Sequence, residues 1–103
     1  MRMMMTASLN TEAANAGVRS GKLMATIQKM LADLKPEAAY FTTDSEGRRS
    51  AIVVFDMNDS SQMPAVAEPL FLGYNAAVTF RPAMTVQDLA AAGPAMERAV
   101  KES

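Results

Sequence analysis

The chain contains no cysteine, no histidine and no tryptophan among its 103 residues. Without cysteine it can form neither a disulfide nor a thiolate nucleophile, and it cannot hold zinc or an iron–sulfur cluster through thiolates. Without histidine it lacks the side chain that titrates nearest neutral pH, which is also the commonest metal and haem ligand. A Ser-His-Asp triad is therefore impossible within this chain. Any proton transfer must use a carboxylate, a lysine or a tyrosine with a shifted pKa.

Charge of either sign is also sparse and scattered, with ten basic and eleven acidic residues and a net charge of −1. No basic stripe follows a predicted element, so we expect no nucleic-acid partner.

No segment is long and apolar enough to span a membrane, and the apolar run Met3–Met5 is shorter than a signal peptide requires. We therefore expect a cytoplasmic protein without a membrane partner. Asp56, Asn58 and Asp59 do not continue into a calcium-loop pattern, so we predict no metal site and no cofactor.

The most informative stretch that is present is Ser50–Phe55, which is apolar at successive positions. Neighbouring side chains of a strand point to opposite faces of the sheet, so a strand with one wet face alternates apolar and polar residues. Here Ile52 and Val54 lie on one face, and Val53 and Phe55 on the other. The pattern predicts a central strand whose two faces are both covered. Ten methionines accompany it, and we interpret them as ordinary core filling, with a plastic pocket or interface as the alternative.

The remaining chain predicts three more strands and three helical segments. We expect the central strand to extend over 48–57 and the other strands to lie at 2–8, 37–43 and 75–81. Helices should lie at 11–34, from Asp59 onward and from Thr85 onward. Asn10 and Thr85 are good N-caps, and Asp59 with Gln62 forms a capping-box pattern. Met24, Ile27, Leu31 and Leu34 are spaced as the apolar face of the first helix.

Glycine and proline residues predict interruptions of these helices. Gly17 and Gly21 favour a bend or break in the first helix. Pro69 should kink or end the second helix near Glu68, because proline lacks the backbone N–H that an interior helical residue donates. The pair Gly93-Pro94 predicts a kink or two short helices at the C-terminus.

The element order predicts a single α+β domain over residues 1–103, with a ferredoxin-like βαββαβ arrangement and a helical appendage at 84–101. The crossover helices should cover one face of a four-stranded antiparallel sheet. Leaving two large apolar side chains of the third strand in water would forfeit roughly 3–6 kcal/mol, a large share of the roughly 5–15 kcal/mol that stabilises a domain. Either the C-terminal helix or a second copy of the chain must cover the other face, and the strand pattern favours a homodimer.

Size, element order and the doubly apolar strand Ala51–Phe55 resemble the dimeric α/β-barrel superfamily over residues 2–81. The segment Phe55–Asn75 is similar to small uncharacterised bacterial members. The resemblance implies two ferredoxin-like sheets paired into a barrel, with a cleft between sheet and helices in each subunit. The superfamily includes cofactor-free monooxygenases, isomerases, haem enzymes and ligand-sensing domains, so membership does not choose a function. The absence of histidine departs from members that use one as haem ligand or base.

Six side chains are candidates for binding a ligand in such a cleft. They are Tyr40, Arg49, Glu68, Tyr74, Asn75 and Arg81. Tyr40 offers a hydroxyl on an apolar strand, and Glu68 could act as a base. Arg49 or Arg81 could bind a ligand carboxylate through a bidentate pair of hydrogen bonds. Each also has a structural interpretation that we favour: an amphipathic core tyrosine, a solvated glutamate, a helix C-cap asparagine or an exposed ion pair.

No motif in the sequence identifies a catalytic residue or decides whether the protein is an enzyme. We predict a small homo-oligomeric protein that binds a small apolar ligand between sheet and helices. The first alternative is a cofactor-independent monooxygenase or isomerase that uses Glu68 with Tyr40, Tyr74 or Asn75. The second is a pure assembly module, in which the C-terminal stripe Val86, Leu89, Met96 and Val100 packs on a neighbouring subunit.

Overall fold

The computed structural model describes residues 1–103 and contains one four-stranded antiparallel sheet. The strands are β1 (Arg2–Ser8), β2 (Ala38–Thr43), β3 (Arg49–Asp56) and β4 (Ala77–Pro82), in the order β2-β3-β1-β4. Two helical crossovers join β1 to β2 and β3 to β4. The protein therefore has the ferredoxin-like α+β fold that its element order predicts.

The first crossover consists of two helices, α1 (Thr11–Ser20) and α2 (Lys22–Leu34). The break falls at Gly21, which has a φ of +81° and leaves α1 as its left-handed C-cap. The predicted interruption of the helix over 11–34 is therefore confirmed at Gly21. Gly17 lies inside α1, which continues through it. The core-facing stripe of α2 is also shifted from the predicted one, since Leu23, Ile27, Met30 and Leu34 pack on the core while Met24 is exposed.

The second crossover shows that Pro69 does not end its helix near Glu68, which was one of the two predicted outcomes. A short 3-10 turn (Ser60–Gln62), opened by the predicted capping box of Asp59 and Gln62, leads into α3 (Met63–Tyr74). The helix runs through Pro69 without ending. Proline removes one backbone hydrogen bond there, but Leu70 and Tyr74 beyond it are buried, and this packing holds the second half of the helix.

The C-terminal segment forms two short helices, α4 (Val86–Ala91) and α5 (Gly93–Glu102), as the Gly93-Pro94 pair predicts. We call residues 83–103 the C-terminal arm. Thr85 and Asp88 cap α4 reciprocally, and Arg2 of β1 donates to Asp88 over 3.2 Å. Beyond the contact between Arg2 and Asp88, neither α4 nor α5 packs extensively on another part of the fold. No helix of the chain has the length and apolar character that a membrane crossing needs.

The two faces of the sheet differ in how they are covered. On the face under the helices, Met5, Val53 and Phe55 are almost wholly inaccessible, and Met5 stands directly opposite Val53. The crossover helices add Leu23, Leu70 and Tyr74 to this core. These contacts place the hydrophobic core between the sheet and α1–α3.

On the opposite face, which we call the open face, β1 and β3 present Met4, Ile52 and Val54, all half-buried. Tyr40 of β2 stands opposite Ile52 and is 66% exposed. The C-terminal arm does not cover this face. The arm instead lengthens the molecule to 58 Å, with a radius of gyration of 16.8 Å against about 13 Å for a compact chain of this length.

The β2–β3 hairpin is closed by the predicted turn around Asp44. One carboxylate oxygen accepts the backbone N–H groups of Glu46 and Arg48, both at 2.9 Å, and the other accepts the Arg48 guanidinium at 2.8 Å. These hydrogen bonds, above all the one from the Arg48 backbone, lower the pKa of Asp44 from its ordinary 3.8 to about 2. The ionised carboxylate thus stabilises the hairpin.

A substitution at Gly17 tests the packing of α1 on α3. A methyl group at Gly17 would lie 2.6 Å from Cε1 of the buried Tyr74 ring, whereas one at Gly73 would meet no atom within 4 Å. We expect Gly17→Ala to lower the free energy of unfolding by about 1–2 kcal/mol, and Gly73→Ala to raise it by up to about 1 kcal/mol. Urea denaturation of the two variants measures both values. Equal stabilities would show that Tyr74 does not hold α1 in this position.

The Asp44 turn gives a prediction for acid. Because the pKa is depressed in the folded state, the stabilisation by Asp44 is fully present above about pH 4 and is lost as the pH falls towards 2. We expect Asp44→Asn to be less stable than the wild type near pH 6, with the difference shrinking as the pH approaches 2. Denaturation curves at several pH values measure this difference. A difference that stays constant with pH would contradict the account.

Candidate functional site

Two cavities lie on different sides of α2, and the residues of α2 that line them alternate along the helix. The first is lined by Met24 and Ile27 of α2 and by Arg49–Ala51 at the start of β3. The second is lined by Thr26 and Lys29 of α2 and by Phe55 and Asp56 at the end of β3. Since β3 rises about 3.3 Å per residue, its two lined ends are about 20 Å apart. Met30 of α2 and Leu70 of α3 line both cavities.

The first cavity, which we call the apolar cavity, has a volume of about 390 Å³. Its lining is dominated by hydrophobic side chains from α2, β2, β3 and the end of β1: Ala7, Leu9, Leu23, Met24, Ile27, Met30, Phe41, Ala51 and Leu70. Met24 and Phe41 are more than half exposed, so they mark the side on which the cavity opens to solvent. Its volume falls within the range of about 300–1,000 Å³ that is typical of small-molecule sites.

Arg49 is the one predicted ligand residue that lines the apolar cavity. It begins β3, and its Nη1 donates to Oδ1 of Asn15 on α1 over 2.8 Å. It forms no ion pair with any carboxylate. The structure thus places a positioned guanidinium with an uncompensated charge beside a largely apolar volume, an arrangement suited to a ligand carboxylate.

The second cavity, which we call the α2–α3 cleft, has a volume of about 570 Å³. Its inner wall is apolar, with Leu34, Phe55, Val66 and Leu70, and polar groups lie around it. Lys29 donates to Asp33 over 2.8 Å, and Gln62 accepts the backbone N–H of Asn58 over 2.8 Å. No three acidic side chains in the chain lie close enough together to hold a metal ion.

Tyr74 lines a different, shallower groove between α1, α2 and α3. It is buried, with its ring against Gly17 and its hydroxyl 3.5 Å from the hydroxyl of Thr26. Tyr74 is thus a core tyrosine whose polar tip finds a partner. That role was predicted for Tyr40, and the prediction is wrong, because Tyr40 is 66% exposed.

The other four predicted residues line none of the three grooves described above. Glu68 is exposed on α3, and Asn75 is the left-handed C-cap of that helix, with φ 46° and ψ 44°. Tyr40 and Arg81 lie on the open face, on the two edge strands of the sheet. The structure therefore does not bring Glu68, Tyr40, Tyr74 and Asn75 to a common cavity where they could act together on a substrate.

Of the α2 side chains that line the apolar cavity, Met24 and Ile27 belong to the predicted apolar helix face, whereas Leu23 and Met30 do not. Periodicity indicates which face of a helix turns inward but not whether the layer beneath it is filled. A signal was nevertheless present in the small residues Ala7 and Ala51 on the central strands, which stand opposite each other beneath α2 and leave volume that larger side chains would fill.

No protein-family model and no curated protein matches the sequence. Among solved structures, the chain is similar to a formyltetrahydrofolate deformylase from Pseudomonas putida KT2440, with 11% identity and a TM-score of 0.49 over 80% of this chain; it spans only 28% of that protein. It is also similar to a putative antibiotic biosynthesis monooxygenase from Deinococcus radiodurans, with 15% identity and a TM-score of 0.44, covering 84% of this chain and 95% of that one.

Proposed function

We propose that this protein binds a small molecule with an apolar body and one anionic end in the apolar cavity. The observation that carries the proposal is the position of Arg49, a guanidinium without a carboxylate partner, on the wall of a volume lined mostly by hydrophobic side chains. Burying the apolar part of a ligand gains about 25 cal/mol for each Å² removed from water. A charge-assisted hydrogen bond to Arg49 would fix the orientation of the ligand.

Octanoate and octanol are suitable probes because they share a tail and differ in charge. We expect octanoate to shift the amide NMR signals of α2 and β3. Ala51→Leu should weaken octanoate binding about tenfold or more, because the added side chain occupies the cavity and removes contacts equivalent to about 1.4 kcal/mol. Ala16→Leu is the matched control, because Ala16 is exposed on α1 and does not line the apolar cavity. Equal weakening by both substitutions, or no binding to the wild type, would overturn the proposal.

The role of Arg49 is tested separately with the same two probes. An exposed ion pair contributes up to about 1 kcal/mol, so Arg49→Gln should weaken octanoate about two- to fivefold. The affinity for octanol should stay unchanged, because the alcohol carries no charge. A similar loss for both probes would show that Arg49 shapes the cavity without recognising an anion.

We further propose that the protein acts as a homodimer in which a second copy covers the open face. The support is the pairing of Met4 with Val54 and of Thr6 with Ile52 on a face against which no helix packs extensively. Stacking one sheet on another is an established way to bury such a face. A second candidate contact is the C-terminal arm, where Val86, Met96 and Val100 are 82%, 49% and 76% exposed.

Charge on the open face should separate the two copies. We expect Val54→Lys to shift the sedimenting mass from a dimer to the 11.0 kDa monomer, because pairing would bury an uncompensated ammonium. Leu72→Lys is the matched control: Leu72 is 84% exposed on α3, on the other side of the sheet. Sedimentation equilibrium measures both masses. A dimeric Val54→Lys variant would exclude the open face as the interface.

A further inference from the structure

We infer that the edge strand β2 pairs with β2 of a second copy in antiparallel fashion, so that two sheets join edge to edge. The surface involved is the free edge of the sheet, which is separate from the open face, and the inference therefore goes beyond the proposed function. An edge contact buries less surface than two stacked sheets, and contacts of small area are weak. The open-face dimer thus forms first, and edge pairing follows at higher concentration.

The hydrogen-bond register shows which backbone groups of β2 are free. Asp44, just after β2, donates its backbone N–H to the carbonyl of Arg48 over 2.9 Å. In an antiparallel pair, residues that bond to the neighbouring strand alternate with residues whose backbone groups point away from it. Counting back from Asp44, every second residue therefore bonds to β3. The residues between them direct their N–H and C=O groups to the free edge: Ala39, Phe41 and Thr43.

The other edge strand, β4, carries two features that hinder edge pairing. Ala83 donates its backbone N–H to the carbonyl of Arg2 over 3.1 Å, so the same alternation places Pro82 where an N–H would point outward. Proline has no N–H to donate, and Arg81 beside it is charged. Strand β2 contains neither proline nor a charged residue, and its residues 40–43 are exposed. It is therefore the edge that accepts a further strand.

A second copy of β2 fits this edge by symmetry. A two-fold arrangement that uses all three outward residues is centred on Phe41, with Ala39 opposite Thr43 of the second copy. Each of these residue pairs would exchange two backbone hydrogen bonds. The two Phe41 side chains would lie on the same face of the joined sheet, with their Cα atoms about 5.5 Å apart. Pairing would thus cover a phenyl ring that is 54% exposed in the single chain.

The charges that flank β2 are complementary in this arrangement. Antiparallel pairing places the segment before β2 of one copy beside the hairpin tip of the other. Lys35, in that segment, is exposed and has no carboxylate partner, and Glu46, at the tip, reaches only Arg48 at 3.7 Å. Glu37, which also precedes β2, is already paired with Arg2. Lys35 of each copy would lie near Glu46 of the other, which favours a second copy over an unrelated extended peptide.

Amide hydrogen exchange of the wild type tests the inference without any substitution. We expect exchange at Ala39, Phe41 and Thr43 to slow about tenfold as the protein concentration rises from about 10 μM to about 1 mM. The amides of Val78 and Phe80 point outward from β4, so they are the internal control and should exchange at one rate throughout. Equal rates at both concentrations, or equal slowing on both edges, would overturn the inference. Protection that is already complete in the dilute sample would indicate a different occupant and would also overturn it.

Thr43→Pro tests the same edge through the sedimenting mass. This substitution removes an outward N–H but no hydrogen bond to β3, and proline is tolerated at such a position of an edge strand. We expect it to raise the concentration needed for edge pairing about tenfold or more. Thr43→Val is the matched control, because it retains the N–H and the branched shape, and it should associate like the wild type. Equal masses of Thr43→Pro and the wild type at about 1 mM would contradict the inference.

Val54→Lys separates this interface from the open face. The β2 amides of this variant should still slow with concentration, because Val54 lies on the open face and not at the edge. Slowing in the wild type but not in Val54→Lys would assign the protection of β2 to the open-face dimer, and the inference would be wrong while the homodimer stands. Slowing in both, with no loss of mass in dilute Val54→Lys, would support edge pairing and exclude the open-face dimer.

Discussion

The structure depends on a central strand that needs apolar cover on both sides. Towards the helices, β3 contributes Val53 and Phe55, which are among the most deeply buried side chains of the chain, together with Met5 on the neighbouring strand. Only 14 of the 103 residues are buried, so this small core leaves little reserve of stability in the isolated chain. A second copy stacked on the open face, as proposed above, would add to this core by covering Ile52 and Val54, which are partly buried in the single chain.

The same core also shapes the candidate site. Gly17 lets α1 approach the buried ring of Tyr74, and Arg49 at the start of β3 donates to Asn15 on α1. The break at Gly21 then starts α2, whose side chains Leu23, Ile27 and Met30 lie over Ala51. Because the central strands carry alanines beneath α2 while the helix carries long side chains, the layers do not fill completely. The apolar cavity follows from this mismatch in size.

Much of the fold could be predicted from the sequence because the signals were local. The strand β1, the hairpin turn at Asp44, the capping box at Asp59, the N-cap Thr85 and the interruption at Gly93-Pro94 each depend on a few adjacent residues. The helix does not end at Pro69 because the burial of Leu70 and Tyr74 is a tertiary effect that outweighs one lost hydrogen bond. The stripe on α2 was displaced because the sheet selects Leu23 and Met30 over the equally regular Met24 and Leu31.

The site was less predictable than the fold. Of the six candidate residues only Arg49 lines the apolar cavity, because a polar side chain on a strand carries no local signal of what lies across from it. Tyr40 and Arg81 lie on different edge strands, and their position on the same face follows only from the order of strands in the sheet. The cavity itself arises where α2, β2 and β3 meet, and no window of adjacent residues contains that information.

The account depends on the proposal that a second copy of the chain covers the open face. The two isoleucines of the chain allow contacts between the copies to be measured directly. Ile52 lies on the open face, whereas Ile27 packs against the core beneath α2. In a mixture of isoleucine-methyl-labelled and unlabelled chains, an isotope-filtered nuclear Overhauser experiment detects only contacts between chains. The account predicts such contacts to the Ile52 methyls and none to those of Ile27. The absence of such contacts to the Ile52 methyls, at a concentration where the protein is soluble and folded, would contradict it.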